Sequence, residues 1–387
     1  MTIIEDAVGN GVDTSHPVRR GGPRLGCGHR GGAVMTSPLR SRMAVLAAAI
    51  AVTMAAILVA PAATPAAHAG INADNLVAFQ ANTGILWTVS EIGVGHPTGL
   101  AMRTSTSPFI RPGYHGSEIS FQANTGVLWT VSAGVGRSTG LNMKHGTSPR
   151  GTGAPGDQIA FQGLDGTLWI YRNGVGRSTG FRMRAATSPD ILPDPGGGFW
   201  MAFQSDTGEL KVVDPAGVLH PTGHQMRAGT NPDLSPFGYG PYMYVAFQAD
   251  TGQLWIVNAS NGFGASTGLR MASGTSPAMD YYPPNVSELY TFKVAFQTDT
   301  GDLWMGQIRL DGSIAVGSSG YGYHLMANTS PTQTPTSDYG YAIAFQADTG
   351  QLWNVHVNLL GHDSGHSTGM GMLPGTSPAI TGLLSLL

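Results

Sequence analysis

The chain has 387 residues, of which 56 are Gly, 25 are Pro and only 11% are charged. Gly costs about 1 kcal/mol and Pro about 3 kcal/mol at a helix interior position, which excludes long helices as the main element and favours an all-β chain. A formal net charge of −3 gives no basic footprint for DNA or RNA, so no nucleic-acid partner is expected.

In chain order, residues 1–34 are polar and Gly-rich and hold the only cysteine, Cys27; they read as a disordered extension or an over-long gene start. Residues 43–60 form an apolar run after Arg40 and Arg42, followed by the small-residue pattern Ala67-His68-Ala69. Basic, apolar and A-x-A segments in that order predict a secretory signal over 35–69, cleaved before Gly70. The expected location is extracellular, with no stable membrane insertion after cleavage; an uncleaved anchor formed by 43–60 is the alternative. The mature chain, 70–387, has 14 basic and 20 acidic residues and no cysteine, so its core alone must hold it.

That region repeats. An Ala/Ser-Phe-Gln motif places Phe at 79, 121, 161, 203, 247, 296 and 345. In one unit, Val245–Gln248 alternates as a strand, and Ala249-Asp250-Thr251-Gly252 turns through an Asp and a Gly suited to positive φ. Gln253–Val257 follows as a second strand, rich in aromatic and branched residues. A Gly-rich loop leads to a third strand at Thr267–Met271, and Gly274-Thr275-Ser276-Pro277 turns into a fourth. Four short antiparallel strands per unit make a propeller blade, and seven units make a seven-bladed β-propeller. The chain enters at a Phe-Gln strand and leaves after a Ser-Pro strand, so Ser377–Thr381 is predicted to close the ring as the innermost strand of the first blade, removing an exposed edge.

The unit Ser-Pro, Ala-Phe-Gln, Asp-Thr-Gly-x-Leu-Trp, Thr-Gly-x-x-Met resembles the blade repeat of tectonin-like and fungal-lectin-like seven-bladed propellers of secreted bacterial type. That resemblance covers the mature chain and implies glycan binding.

Two strings imitate catalytic motifs. Gly-x-Ser-x-Gly occurs at 136–140, 176–180, 264–268 and 365–369, and Asp-Thr-Gly begins at Asp206, Asp250, Asp299 and Asp348. An esterase needs one elbow and an aspartic protease two converging carboxylates, so repetition at one place in the unit marks loop and turn consensus. No catalytic residue, cofactor or metal is expected; the pairs His220/His224 and His362/His366 are read as ordinary loop histidines. Six Trp at one repeat position (87, 129, 169, 255, 304 and 353, with Lys211 in the fourth unit) are assigned to packing between blades. Met102, Met143, Met183, Met226, Met271, Met326 and Met372 are assigned to the core, and the repeated Gln, from Gln80 to Gln346, to backbone hydrogen bonds.

In a four-stranded meander the second and fourth connections share one face, here a ring of uniform turns. The other face carries the variable first and third connections. The third supplies His96, Arg137, Arg177, His220 and His366, with Ala265 and Ser318 in the fifth and sixth units. The first supplies aromatics, including Tyr114, Phe237, Tyr239, Tyr242, Tyr281, Tyr282, Tyr339 and Tyr341. Flat rings beside polar donors suit sugars, which have apolar C–H faces and many hydroxyls. His96, Arg137, Arg177, His220, His366, Tyr239 and Tyr282 are therefore the candidate carbohydrate-binding residues. The expected function is that of a multivalent lectin-like module with glycan partners; the alternative is a protein-interaction or cell-surface structural propeller.

Overall fold

The computed structural model describes residues 75–382 apart from 91–92, 114–115, 153–157, 195, 237–242, 282–290, 310–316, 337–339 and 359. These residues form seven four-stranded antiparallel sheets, and no helix occurs among them. The fold is the seven-bladed propeller that the repeats predict. Blade two shows the plan, with Phe109–Gly113 innermost, then Gly116–Gln122, Val127–Ser132 and the outer strand Val135–Asn142.

Alternation sends successive side chains of each strand to opposite neighbours. Ile119, Phe121 and Val131 join Leu86 and Met102 of blade one, whereas Leu128 and Met143 join Ile159 and Phe161 of blade three. Each of the seven apolar clusters spans one junction between blades, so the core is a circle of interfaces. The six repeated Trp sit half-buried at these junctions, as the sequence predicts. Where Lys211 replaces the seventh, its Nζ bonds Glu209 at 2.7 Å, and Phe181 of blade three stacks on Phe203 at 6.2 Å.

Six of the repeated Met are buried. In the sixth unit the buried position belongs to Leu325, which bridges to Ala347, and not to Met326. Likewise the sixth-unit equivalent of Arg137 is Ser319, paired with Met305, and not Ser318. Tyr321-Gly322 stands there in place of Thr-Gly, and the altered signature displaced both assignments by one residue. Six of the seven Gln serve the backbone as expected: Gln122 Nε2, for example, donates to the carbonyls of Met143 and Lys144, each at 3.1 Å, whereas the buried Gln80 amide makes no such bond among the described residues.

The ring closes as the repeat register requires. Ala379–Ile380 pairs with the first blade through Val77↔Ile380 and Ala78↔Ala379. On the face of uniform turns, Arg103 N–H donates to Gln122 O at 2.9 Å and Asn124 N–H to Ala101 O at 3.1 Å, tying the end of blade one to the turn of blade two. The Thr-Ser/Asn-Pro turns add a second circle. The N–H of Ser107, Ser148, Ser188, Asn231, Ser276, Ser330 and Ser377 each donates to the side-chain oxygen of the next residue in that series, the last returning to Ser107, over 2.6–2.9 Å.

Candidate functional site

On the opposite face, between blades two and three, lies a cavity of about 220 Å³. Its charged wall comes from blade two. Arg111 and Glu118 stand directly opposite each other across the first connection, and the Arg111 guanidinium bonds the Glu118 carboxylate. Their side chains are only 9% and 22% exposed, so the pair is held in a fixed orientation rather than solvated. Ser132 Oγ donates to the other carboxylate oxygen at 3.4 Å. Gly113 makes room for this arrangement, because a Cβ there would lie 2.6 Å from Glu118 Cγ.

Blade three supplies the facing wall with Tyr171 and Asn173. Asn173 and Gly174 have φ of 50° and 82°, the two positive values of a type I′ hairpin turn, which is why Asn-Gly stands there. The turn leaves the Asn173 side chain exposed at the mouth, while the Tyr171 ring is half-buried. Gly151, on the innermost strand of blade three, yields space to Phe109; a Cβ would come within 2.9 Å of its ring. The cavity therefore combines an aromatic wall, a fixed cation, a carboxylate acceptor and an amide.

Among the described residues this Arg-over-Glu pair occurs once, although blade six sets a charged pair of the opposite order, Asp280 facing Lys293, at the equivalent positions. The positions equivalent to Arg111 and Glu118 hold Thr152 and Gln158 in blade three, Leu192 and Trp200 in blade four, and Ser235 and Tyr244 in blade five. A reading that weighed repeated positions passed over it; the available signal was a departure from the repeat, an Arg and a Glu symmetrically flanking a Gly-containing connection.

The residues chosen from the sequence lie elsewhere. His96, Arg137, Arg177, His220 and His366 do occupy one equivalent position, opposite Thr88, Thr130, Ile170, Val212 and Asn354. That position is on the outer strand, not in the third connection. The two-residue turn is completed at Ala133-Gly134 or Asn173-Gly174, so the strand begins at Val135 or Val175, ahead of the basic residue. One per blade, these side chains do not converge, and none lines the cavity. Arg137 comes nearest, because Thr130 opposite it is a cavity residue. Tyr239 and Tyr282 lie outside the described residues, as do Tyr114, Phe237, Tyr242 and Tyr339. Tyr341, expected in a loop, is 4% exposed and belongs to the junction of blades six and seven.

The catalytic look-alikes are absorbed by the fold. Ser138, Ser178, Ser266 and Ser367 of the Gly-x-Ser-x-Gly strings each accept the N–H of the second Gly at 3.0–3.3 Å. The strings lie on outer strands at a bulge where Gly140, for example, takes φ of 73°. His220 Nε2 bonds Asp214 Oδ2 at 2.8 Å, and this bond holds the Asp214 carboxyl below its usual range. His224 turns instead to Gly262 O and packs on Trp255, 5.3 Å between ring centroids. No group of three metal-ligating side chains occurs among the described residues.

No family model matches the sequence, and no curated protein matches it. Among solved structures, the chain is similar to the Aleuria aurantia lectin, described as a six-bladed β-propeller with a novel fucose recognition mode, at 13% identity and TM-score 0.47, over 70% of this chain and 95% of that one. It is similar to SapL1 lectin in complex with α-methyl fucoside at 11% identity and TM-score 0.48, over 69% and 96%. Similarity also extends to hydrazine synthase from Kuenenia stuttgartiensis, at 12% identity and TM-score 0.45, over 64% and 75%. The blade number of this chain rests on its own strand ladders.

Proposed function

We propose that the chain is a secreted, non-catalytic carbohydrate-binding propeller whose principal site is the cavity between blades two and three. The observation that carries this reading is the Arg111–Glu118 pair fixed opposite the Tyr171 ring. A sugar laid on that ring has vicinal hydroxyls within reach of both a donor and an acceptor that are already oriented, so little ordering cost remains on binding. At about 220 Å³ the cavity is smaller than the roughly 300–1,000 Å³ of sites for drug-sized ligands, which suits a single sugar ring. The blade repeat, tectonin-like in sequence, agrees with this use, and the leader-like segment 35–69 is the basis for secretion.

The cavity gives one principal site per chain. Multivalency enters through Arg137 and Arg177, repeated on neighbouring outer strands, as secondary contacts whose individually weak binding gains from effective concentration.

A glycan array probed with the chain tests the reading. Saturable binding that free monosaccharide competes away, and that Tyr171→Leu weakens, is the expected result. Silence across the array from a protein that melts cooperatively would replace this reading with that of a propeller docking other proteins.

A further inference from the structure

At the third connection of the blades, the residue at or just before the start of the outer strand stands in solvent. Val94, Val135, Val175, Val218 and Phe263 hold that place in blades one to five, with exposures of 45%, 52%, 53%, 51% and 79%. In blade seven, Leu360 in a longer turn is 79% exposed. The hairpin does not require an apolar residue there: Ala133-Gly134 and Asn173-Gly174 make the turns, and Val135 only pairs across to Ser132. A threonine would serve the strand as well.

Single exposed apolar residues are ordinary. The same choice at one structural position in consecutive blades of a closed ring is not a scatter, because it places the side chains on one face, at one level, around the rim. Blade bodies separate these points, so they do not merge into the continuous patch that a protein partner's apolar core requires. A planar, deformable medium can receive all of them together.

Charge marks what that medium carries. Arg137 and Arg177 follow two residues after Val135 and Val175, on the same strand face, and Arg172 pairs across from Val175. All three arginines are exposed. We propose that this face docks peripherally on a lipid bilayer bearing anionic headgroups, the apolar tips entering the interfacial layer while the arginines of blades two and three meet headgroup phosphates. Docking is independent of the sugar cavity, although it would turn that cavity's mouth toward the membrane surface.

The test is co-sedimentation of the full chain with phosphatidylcholine vesicles and with vesicles containing phosphatidylserine, alongside two variants. One is Val135→Thr with Val175→Thr and Phe263→Ser; the other is Arg137→Ala with Arg177→Ala. All share residues 43–60, so only differences between the chains report on the rim. The parent should sediment with phosphatidylserine vesicles and be released at high salt. The tip variant should bind at least tenfold less, and the arginine variant should lose its preference for phosphatidylserine, both with unchanged melting. Equal sedimentation of parent and tip variant overturns the proposal. So does a concentration-dependent dimer that the tip variant abolishes without any vesicle binding, which would assign the face to a second copy. Glycan-array signals of the tip variant should match the parent, so failure here and failure of the sugar reading are separable.

Discussion

Ser377 N–H donates to Ser107 Oγ at 2.9 Å across 270 residues of sequence, completing a circle of seven such bonds in which each turn holds the next. One member, Asn231, contributes an amide oxygen instead of a hydroxyl and still accepts Ser188 N–H at 2.6 Å. The circle therefore requires a short side-chain acceptor at each position rather than a hydroxyl as such.

Ser107→Ala should cost about 1 kcal/mol, the net worth of one hydrogen bond, while Ser107→Asn should cost less. Deleting residues 375–387 removes both this bond and the Ala379–Ile380 strand, exposing two sheet edges. Scanning calorimetry of the deletion should show loss of a single cooperative transition, or aggregation.

The junctions beside blade five carry a pH dependence. Leu234 N–H donates to Asp190 Oδ2 and Met279 N–H to Asp233 Oδ2, each at 2.6 Å. Burial pushes both carboxyls up; Asp233 rises well above the usual carboxylate range because the Asp190 charge adds to burial, with Arg150 opposing. A carboxyl whose folded pKa exceeds its unfolded value holds a proton in the folded state that the unfolded state has released. Stability therefore falls as pH rises from near 3.8 through the raised values. Melting should occur at a higher temperature at pH 5 than at pH 8. Asp233→Asn keeps an acceptor for Met279 N–H, and should raise the pH 8 melting temperature and flatten the slope.

Tyr323 reports on the junction of blades six and seven. Its hydroxyl donates to Asp363 Oδ2 at 2.7 Å, and burial together with that bond and charge raises its pKa to about 12. Ultraviolet titration should find one phenol that resists ionisation after the exposed tyrosines have titrated. The neutral phenol is favoured only in the fold, so stability should decline from about pH 10 to about pH 12. Asp363→Asn should bring the late phenol closer to the others.

At the cavity, Asn173→Gly removes the amide while preserving the turn, since Gly accepts positive φ without strain. One lost hydrogen bond of about 1 kcal/mol should weaken glycan binding roughly five- to tenfold, measurable by calorimetry, with little change in melting. Arg137→Ala should weaken it less, because Arg137 stands beside the cavity and not in it.

Architecture was legible because it is periodic. Seven Phe-Gln strands fixed the blade count, and the mismatch between a Phe-Gln start and a Ser-Pro end foretold the Val77↔Ile380 pairing. Periodicity also limited what could be seen. The Gly-Val-Gly-Arg string reads as loop until its first Gly is known to complete a two-residue turn, which moves Arg137 onto a strand. The cavity depends on a cross-strand neighbour, Glu118 beside Arg111, and on a ring from the following blade, Tyr171. The Tyr171 adjacency has no sequence spacing that announces it, and the Arg111–Glu118 pair shows only as a departure from the repeat, matched in the opposite charge order by Asp280 and Lys293 of blade six.

Blade one alone is assembled from both ends of the described chain, three strands from residues 75–101 and one from 379–380. Covalent continuity runs through every other blade, so this seam is the mechanical weak point of the hoop. Tension applied to the two ends would peel a two-residue strand before straining any complete blade. Conversely, a peptide bridge across the seam would let the chain be reopened at another connection without changing the order in which the blades meet.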